Sequence, residues 1–311
     1  MRTDVTFQSA GIVIAGHLYT PTGETSHTRA GIVVGHPASG VKEQAAAAYA
    51  VRLAEAGFVA LTFDAAYQGA SGGEPRGVED PAQRTEDLKA AVSFLTTRAE
   101  VDPERIGALG ICASGGYVIP AAAADHRIQA VATVSAADIG RQFRVGADGA
   151  QDPAVIQGLL DAAAEARTAE AAGAAPRTFD LFPETEEQAR SAGQHVFEGW
   201  EYYRTDRAQH PASAKQFTVS SIDRIATFDP FTHIALIAPR PLLMVVGTRA
   251  VTAWMSQHAF ENAGTPKRLH WIEGASHVDL YDRYVPQAAA ELAAFFTASL
   301  RAPERSSAPT R

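Results

Sequence analysis

The first two segments of the chain, residues 5–9 and 12–20, alternate apolar and polar positions on either side of Ala10-Gly11. A period of two across a glycine-containing turn predicts an antiparallel hairpin. Residues 21–28 read as a turn-forming stretch, and beyond them the pattern changes. Unbroken apolar runs take turns with amphipathic stretches: 30–35 before a helix over 43–56, 58–63 before 81–98, 106–111 before 113–124, then 130–135. The series resumes at 241–246, with a helix near 254–263, a strand over 268–272 and a last helix over 285–300. Strands lose their alternation when both faces are buried. The pattern therefore predicts an α/β fold, a mostly parallel sheet of about eight strands with helices on both faces.

Between 139 and 235 the rhythm stops. Helix formers over 152–172 and 184–204 are separated by Gly and Pro, with no clear buried strand. The predicted organisation is a core from residues 1–138 and 236–301, a helical insertion at 139–235, and a disordered tail at 302–311 rich in Pro, Ser and Thr. An insertion at this point would lie over the C-terminal edges of the strands and cap a binding site. Phe143, Phe182, Trp200, Tyr202, Tyr203 and Phe217 give it an apolar face, suited to covering a substrate or to packing the cap on the sheet. Trp200, Tyr202 and Tyr203 are the candidate substrate contacts.

With 311 residues, 46% of them hydrophobic and 20% charged, the chain can bury a core of this size. A net charge of −8 argues against nucleic acid as a partner, since phosphate recognition needs clustered Lys and Arg. No apolar stretch approaches the roughly 20 residues of a membrane span and none follows the N-terminal charge, so a cytoplasmic protein without membrane attachment is expected. The lone cysteine, Cys112, excludes an internal disulfide and multi-Cys zinc patterns.

That cysteine lies in Arg105-Ile-Gly-Ala-Leu-Gly110-Ile-Cys112-Ala-Ser114-Gly115-Gly116, where a buried strand meets a helix. A nucleophile at such a turn sits in strained backbone, and small residues two before and two after it let strand and helix approach; Gly110 and Ser114 meet this need. The helix N-terminus would favour a thiolate. A second register has Ser114 as nucleophile between Cys112 and Gly116. The apolar strand ending at Gly110 places the turn on Cys112 and leaves Ser114 as a packing residue.

The chain resembles the dienelactone-hydrolase-like branch of the α/β-hydrolases, in which G-x-C-x-G-G carries a cysteine nucleophile, and within it bacterial esterase-like proteins and fungal polyketide transferases sharing G-I-C-A-S-G-G. The likeness runs through 35–44, 63–75, the 110–116 turn and 274–282. It implies an α/β-hydrolase fold and acyl chemistry on an ester, lactone or thioester. His277, in Gly274-Ala-Ser-His277, stands at the position of the family's catalytic histidine and follows both a strand and a glycine turn. His17, His27, His126, His195 and His210 have no supporting motif. His36 sits in the loop after the 30–35 strand, which with the turn at Cys112 implies an oxyanion hole from the amides of Ala38 and Ala113. Lys42 and Glu43 read as a local ion pair.

The acid departs from the family pattern: Val251 stands where an Asp follows the penultimate strand. Asp138, after the strand that follows the nucleophile helix, is the preferred replacement, and it reads equally well as a helix cap. Asp279, Asp229 or an unassisted cysteine–histidine dyad are the other options. No cofactor or metal is implied: H-E-x-x-H is absent, and Ser71-Gly-Gly-Glu lacks the Lys-Ser/Thr of a phosphate loop. The functions open at this level are a cysteine-dependent hydrolase, an acyltransferase to an alcohol, and a non-catalytic binding protein on a hydrolase scaffold. The expected partner is a small-molecule acyl substrate, free or carrier-bound.

Overall fold

A computed structural model describes residues 1–23 and 28–301; His27 and the tail at 302–311 lie outside it. Strands β1 (Arg2–Ser9) and β2 (Ile12–Tyr19) pair antiparallel with Ser9 opposite Ile12. Ala10 and Gly11 take φ of 47° and 83° between them, the left-handed pair a two-residue hairpin demands. The remaining strands are β3 (Arg29–Gly35), β4 (Val59–Phe63), β5 (Val101–Ile111), β6 (Ile128–Val134), β9 (Leu242–Gly247) and β10 (Lys267–Ile272). They complete one eight-stranded sheet in the order β1-β2-β4-β3-β5-β6-β9-β10, parallel from β4 onward.

Side chains alternate between two cores. On one face Val33, Ile106 and Ala108 pack against Leu88, Val92 and Tyr117 of α2 (Pro81–Thr96) and α3 (Ala113–Ala124). On the other, Ile32, Val34, Leu109 and Ile111 pack with Leu53, Leu292 and Phe296 of α1 (Ala45–Glu55) and α10 (Val285–Ser299). Burial on both faces is the physical cause of the unbroken apolar runs. The protein has the α/β-hydrolase fold, and the C-terminal ends of β3, β5, β6, β9 and β10 converge where such sheets bind ligands.

Residues 139–235 contain α4 (Ile139–Val145), α5 (Pro153–Ala171), α6 (Glu186–Ser191), α7 (Gln194–Arg204) and α8 (Ile222–Ala226). The single helix expected over 184–204 is two. Thr185 and Gln188 form a capping box on α6, and Gly193, at φ 101°, breaks the chain before α7. A ribbon of β7 (Thr178–Asp180) and β8 (Gln216–Thr218) was not foreseen, because three-residue strands carry no readable period. The insertion is continuous with both cores, Phe217 and Ile225 joining one and Tyr202 and Tyr203 the other. Among the described residues no helix is long and apolar enough to cross a membrane.

Candidate active site

Cys112 separates β5 from α3 and takes φ 55°, ψ −120°, a conformation costing about 1–3 kcal/mol in an L-residue. Its backbone is held from both sides. Its N–H donates to Val134 O at 2.9 Å, and its carbonyl accepts from Gly115 N at 2.8 Å and Ala137 N at 2.9 Å. Strand and helix approach so closely that a Cβ on Gly110 would lie 2.0 Å from Ser114 O, and one on Gly115 2.7 Å from Ala136 Cα. Gly110→Ala should therefore cost ~3 kcal/mol or more and lower Tm by about 6 °C or more. An unchanged melting curve would show that the turn can open without loss.

The thiol, half-buried, lies at the wall of a cavity of about 130 Å³. Ser114 is buried and turned away: its hydroxyl donates to His36 O at 2.6 Å. Ala38 and Ala113 line the cavity beside Cys112, and their backbone N–H groups draw the thiol pKa down. Neither makes a backbone hydrogen bond of its own among the described residues. The helix end was expected to favour the thiolate. Desolvation outweighs it, and burial pushes the Cys112 thiol up against the opposing pull of the Tyr281 hydroxyl, the two amides and Arg84. The Cys112 side chain therefore favours the thiol form.

His36 braces the loop that carries Ala38. It is fully buried, its Nδ1–H donates to Pro37 O at 2.6 Å, and its Nε2 accepts from Ala65 N at 3.1 Å. Arg84 lies 3.2 Å from the same Nε2 and donates to His36 O at 3.0 Å. Burial, then Arg84, lowers the imidazole to about 3, so it stays neutral. Lys42 contacts both Glu43 and the buried Asp64 at 2.8 Å, so the pair expected from the sequence extends into a three-residue cluster beside this loop.

His277 is fully buried beyond Tyr281. Its Nδ1 faces Thr252 Oγ1 at 2.5 Å and its Nε2 faces the Tyr281 hydroxyl at 2.9 Å. Tyr281 lines the same cavity as Cys112, and its hydroxyl draws the thiol pKa down, so the phenol stands between cysteine and histidine. Burial, then neighbouring His195, holds His277 well below its ordinary range. In the tautomer whose Nδ1–H donates to Thr252, Nε2 is the basic nitrogen. His195, which had no motif to recommend it, stands edge-on to His277 with ring centroids 4.9 Å apart.

The profile of the dienelactone hydrolase family matches residues 14–137, a span that ends where the insertion begins. The chain is 40% identical to the uncharacterised protein YcjY of Escherichia coli K12, covering 96% of this chain and 100% of that one. It is 28% identical to thiohydrolase aneE of Aspergillus aculeatus, covering 86% and 83%. The crystal structure of hypothetical protein PA2218 from Pseudomonas aeruginosa superposes with a TM-score of 0.91 at 35% identity, over 96% of this chain and 94% of that one. The chain belongs to the dienelactone hydrolase family.

This member of the dienelactone hydrolase family does not make the acid contact expected of it. Asp138 caps α4, its carboxylate accepting from Arg141 N at 2.8 Å, while both ring nitrogens of His277 are engaged elsewhere. The cap reading was the correct one, because a short helix starting at Ile139 needs its first amides satisfied. Asp279 binds Ser276 N and the guanidinium groups of Arg207 and Arg283, and Asp229 caps Phe231 N. Thr252, one residue beyond Val251, takes the place at Nδ1. Among the expected substrate contacts, Tyr203 lines the cavity together with Phe143, Phe182 and Phe217. Tyr202 packs behind it, 4.8 Å from Tyr203 and 5.2 Å from Tyr281, and Trp200 stacks on Phe197 away from the cavity. On a helix Tyr202 and Tyr203 point about 100° apart, so those two could not both face one ligand.

Proposed function

We propose that the protein is a cysteine-dependent hydrolase that opens an ester, lactone or thioester through an acyl-enzyme on Cys112. The observation that carries this reading is Cys112 in strained backbone at the strand-to-helix turn, opening on a cavity also lined by Ala38, Ala113 and Tyr281, whose hydroxyl leads to a neutral imidazole. As sulfur attacks the carbonyl carbon, the thiol proton passes to the Tyr281 oxygen and the phenol proton to His277 Nε2. The carbonyl oxygen takes the negative charge between the amides of Ala38 and Ala113. Collapse expels the leaving group, which takes its proton from the Tyr281 hydroxyl as the imidazolium refills it. Water then adds to the acyl carbon and gives its proton through Tyr281 to His277, and that proton returns to the sulfur as the acid departs. Residues 139–235 serve as the cap that closes over these steps.

The name of the fungal thiohydrolase favours a thioester within this class. The aromatic wall of Phe143, Phe182, Tyr203 and Phe217 also suits an alcohol acceptor, and product analysis in added alcohol separates transfer from hydrolysis. The test of the whole reading is multiple turnover of p-nitrophenyl butyrate or a butyryl thioester, with a butyryl adduct on Cys112 by mass spectrometry. Labelling that stops at one equivalent would mark a binding protein and reject it.

The pH profile is a separate check. A base whose pKa is lowered keeps its unprotonated form to lower pH, and a thiol whose pKa is raised stays protonated through neutrality. The kcat/KM should be flat from about pH 6.5, the ordinary histidine value, to about pH 8, with its acid limb well below 6.5. A half-point at or above that value would contradict a buried base.

A further inference from the structure

The cavity at Cys112 has about the volume that takes a benzene-sized group, so a larger substrate must continue beyond it. A second, wider cavity of about 660 Å³ lies on the other side of a wall formed by Gln142, Phe143, His195 and Val196, which line both. In that wall His195 Nε2 and Gln142 Nε2 are 3.3 Å apart. The glutamine nitrogen can only donate, so the imidazole accepts and carries its own proton on Nδ1. That Nδ1 is buried and has no partner among the described residues, an arrangement that costs about 1–3 kcal/mol until an acceptor reaches it.

We propose that the outer cavity is the leaving-group subsite of this enzyme, built for a neutral group bearing an amide, with His195 and Gln142 as its specificity contacts. The inference rests on the acyl-enzyme reading above. The general acid lies on the side from which the leaving group departs, and His195 stands against His277 on that side. Val251, adjoining Thr252, lines the outer cavity as well. The lining supplies hydrogen-bonding atoms of both kinds. The amides of Gln151 and Gln194 are fixed through their nitrogens to Phe143 O and Glu198, and their oxygens, like that of Gln142, accept nothing from the described residues. These oxygens suit a ligand N–H, and the Nδ1–H of His195 suits a ligand carbonyl. Asp148 is the sole residue of the lining that carries a full charge, so a phosphate would find no cation there.

The test uses two thioesters of butyrate, one with a methyl leaving group and one with a 2-acetamidoethyl group. The acetamidoethyl ester should be preferred at least tenfold in kcat/KM. Leu159→Trp, which places an indole in the outer cavity, should cut that ratio at least tenfold, and Gln142→Ala should cut it several-fold. Ala150→Trp, on another part of the same lining, gives an independent reading if Leu159→Trp does not fold. A ratio near one in the native enzyme, or a ratio unchanged in the folded filling variants, overturns the subsite while leaving the acyl-enzyme standing. Failure of both thioesters to acylate Cys112 overturns the acyl-enzyme reading and this inference with it.

Discussion

Replacing Cys112 by alanine should lower acyl turnover by roughly 10⁴-fold or more, whereas Ser114→Ala should keep kcat/KM within a few-fold of the native value. The two side chains are two residues apart in sequence and opposite in environment. The thiol opens on the cavity that Ala38 and Ala113 also line, while the Ser114 hydroxyl is sealed beneath the loop after β3 on His36 O. Loss of that hydroxyl leaves the carbonyl with Arg84 as donor, so the expected penalty is about 1 kcal/mol of stability, read from a melting curve. A serine variant that dies while the cysteine variant works would move the nucleophile to Ser114 and dismantle the assignment of the turn.

The difference between those two residues was readable because the strand's apolar run has a fixed end. Gly110 is the last residue at which a side chain is forbidden by the approach of the helix, and that steric fact is written in the sequence as a glycine. The sheet was readable for the same kind of reason, since burial on both faces leaves only scattered polar positions such as Thr62 and Thr133 inside its central strands. The partners of His277 were not. Thr252 and Tyr281 reach it from the loops after β9 and β10, and nothing in a hydroxyl-bearing residue marks it as a histidine ligand until those loops are placed. A charged partner at Nδ1 is not required. A neutral imidazole in a buried site can be oriented by a hydroxyl, and burial itself keeps it unprotonated. Asp138 looked suitable for a triad because helix N-caps and catalytic acids draw on the same residue type at the same strand ends.

Tyr281 is the residue on which the two halves of the site depend, and Tyr281→Phe should reduce kcat/KM by about 100-fold, within the range for a lost proton-transfer group. The phenol oxygen bonds His277 Nε2 and acts on the thiol pKa, so its removal separates the proposed base from the proposed nucleophile without altering the ring. The ring packs edge-on against Tyr202 and His277, at 5.2 Å and 5.6 Å, and phenylalanine preserves those contacts. A structural role would show as a lower Tm; the relay predicts instead a changed pH dependence. With the hydroxyl gone, the remaining route to the nucleophile is loss of the thiol proton to solvent, and burial holds that thiol above its ordinary range. The residual kcat/KM of the phenylalanine variant should therefore rise about tenfold per pH unit below the thiol pKa, across the interval where the native enzyme is flat. A Tyr281→Phe enzyme with native kcat/KM and a flat profile would mean that His277 takes the proton from Cys112 directly, and the phenol would then be packing alone.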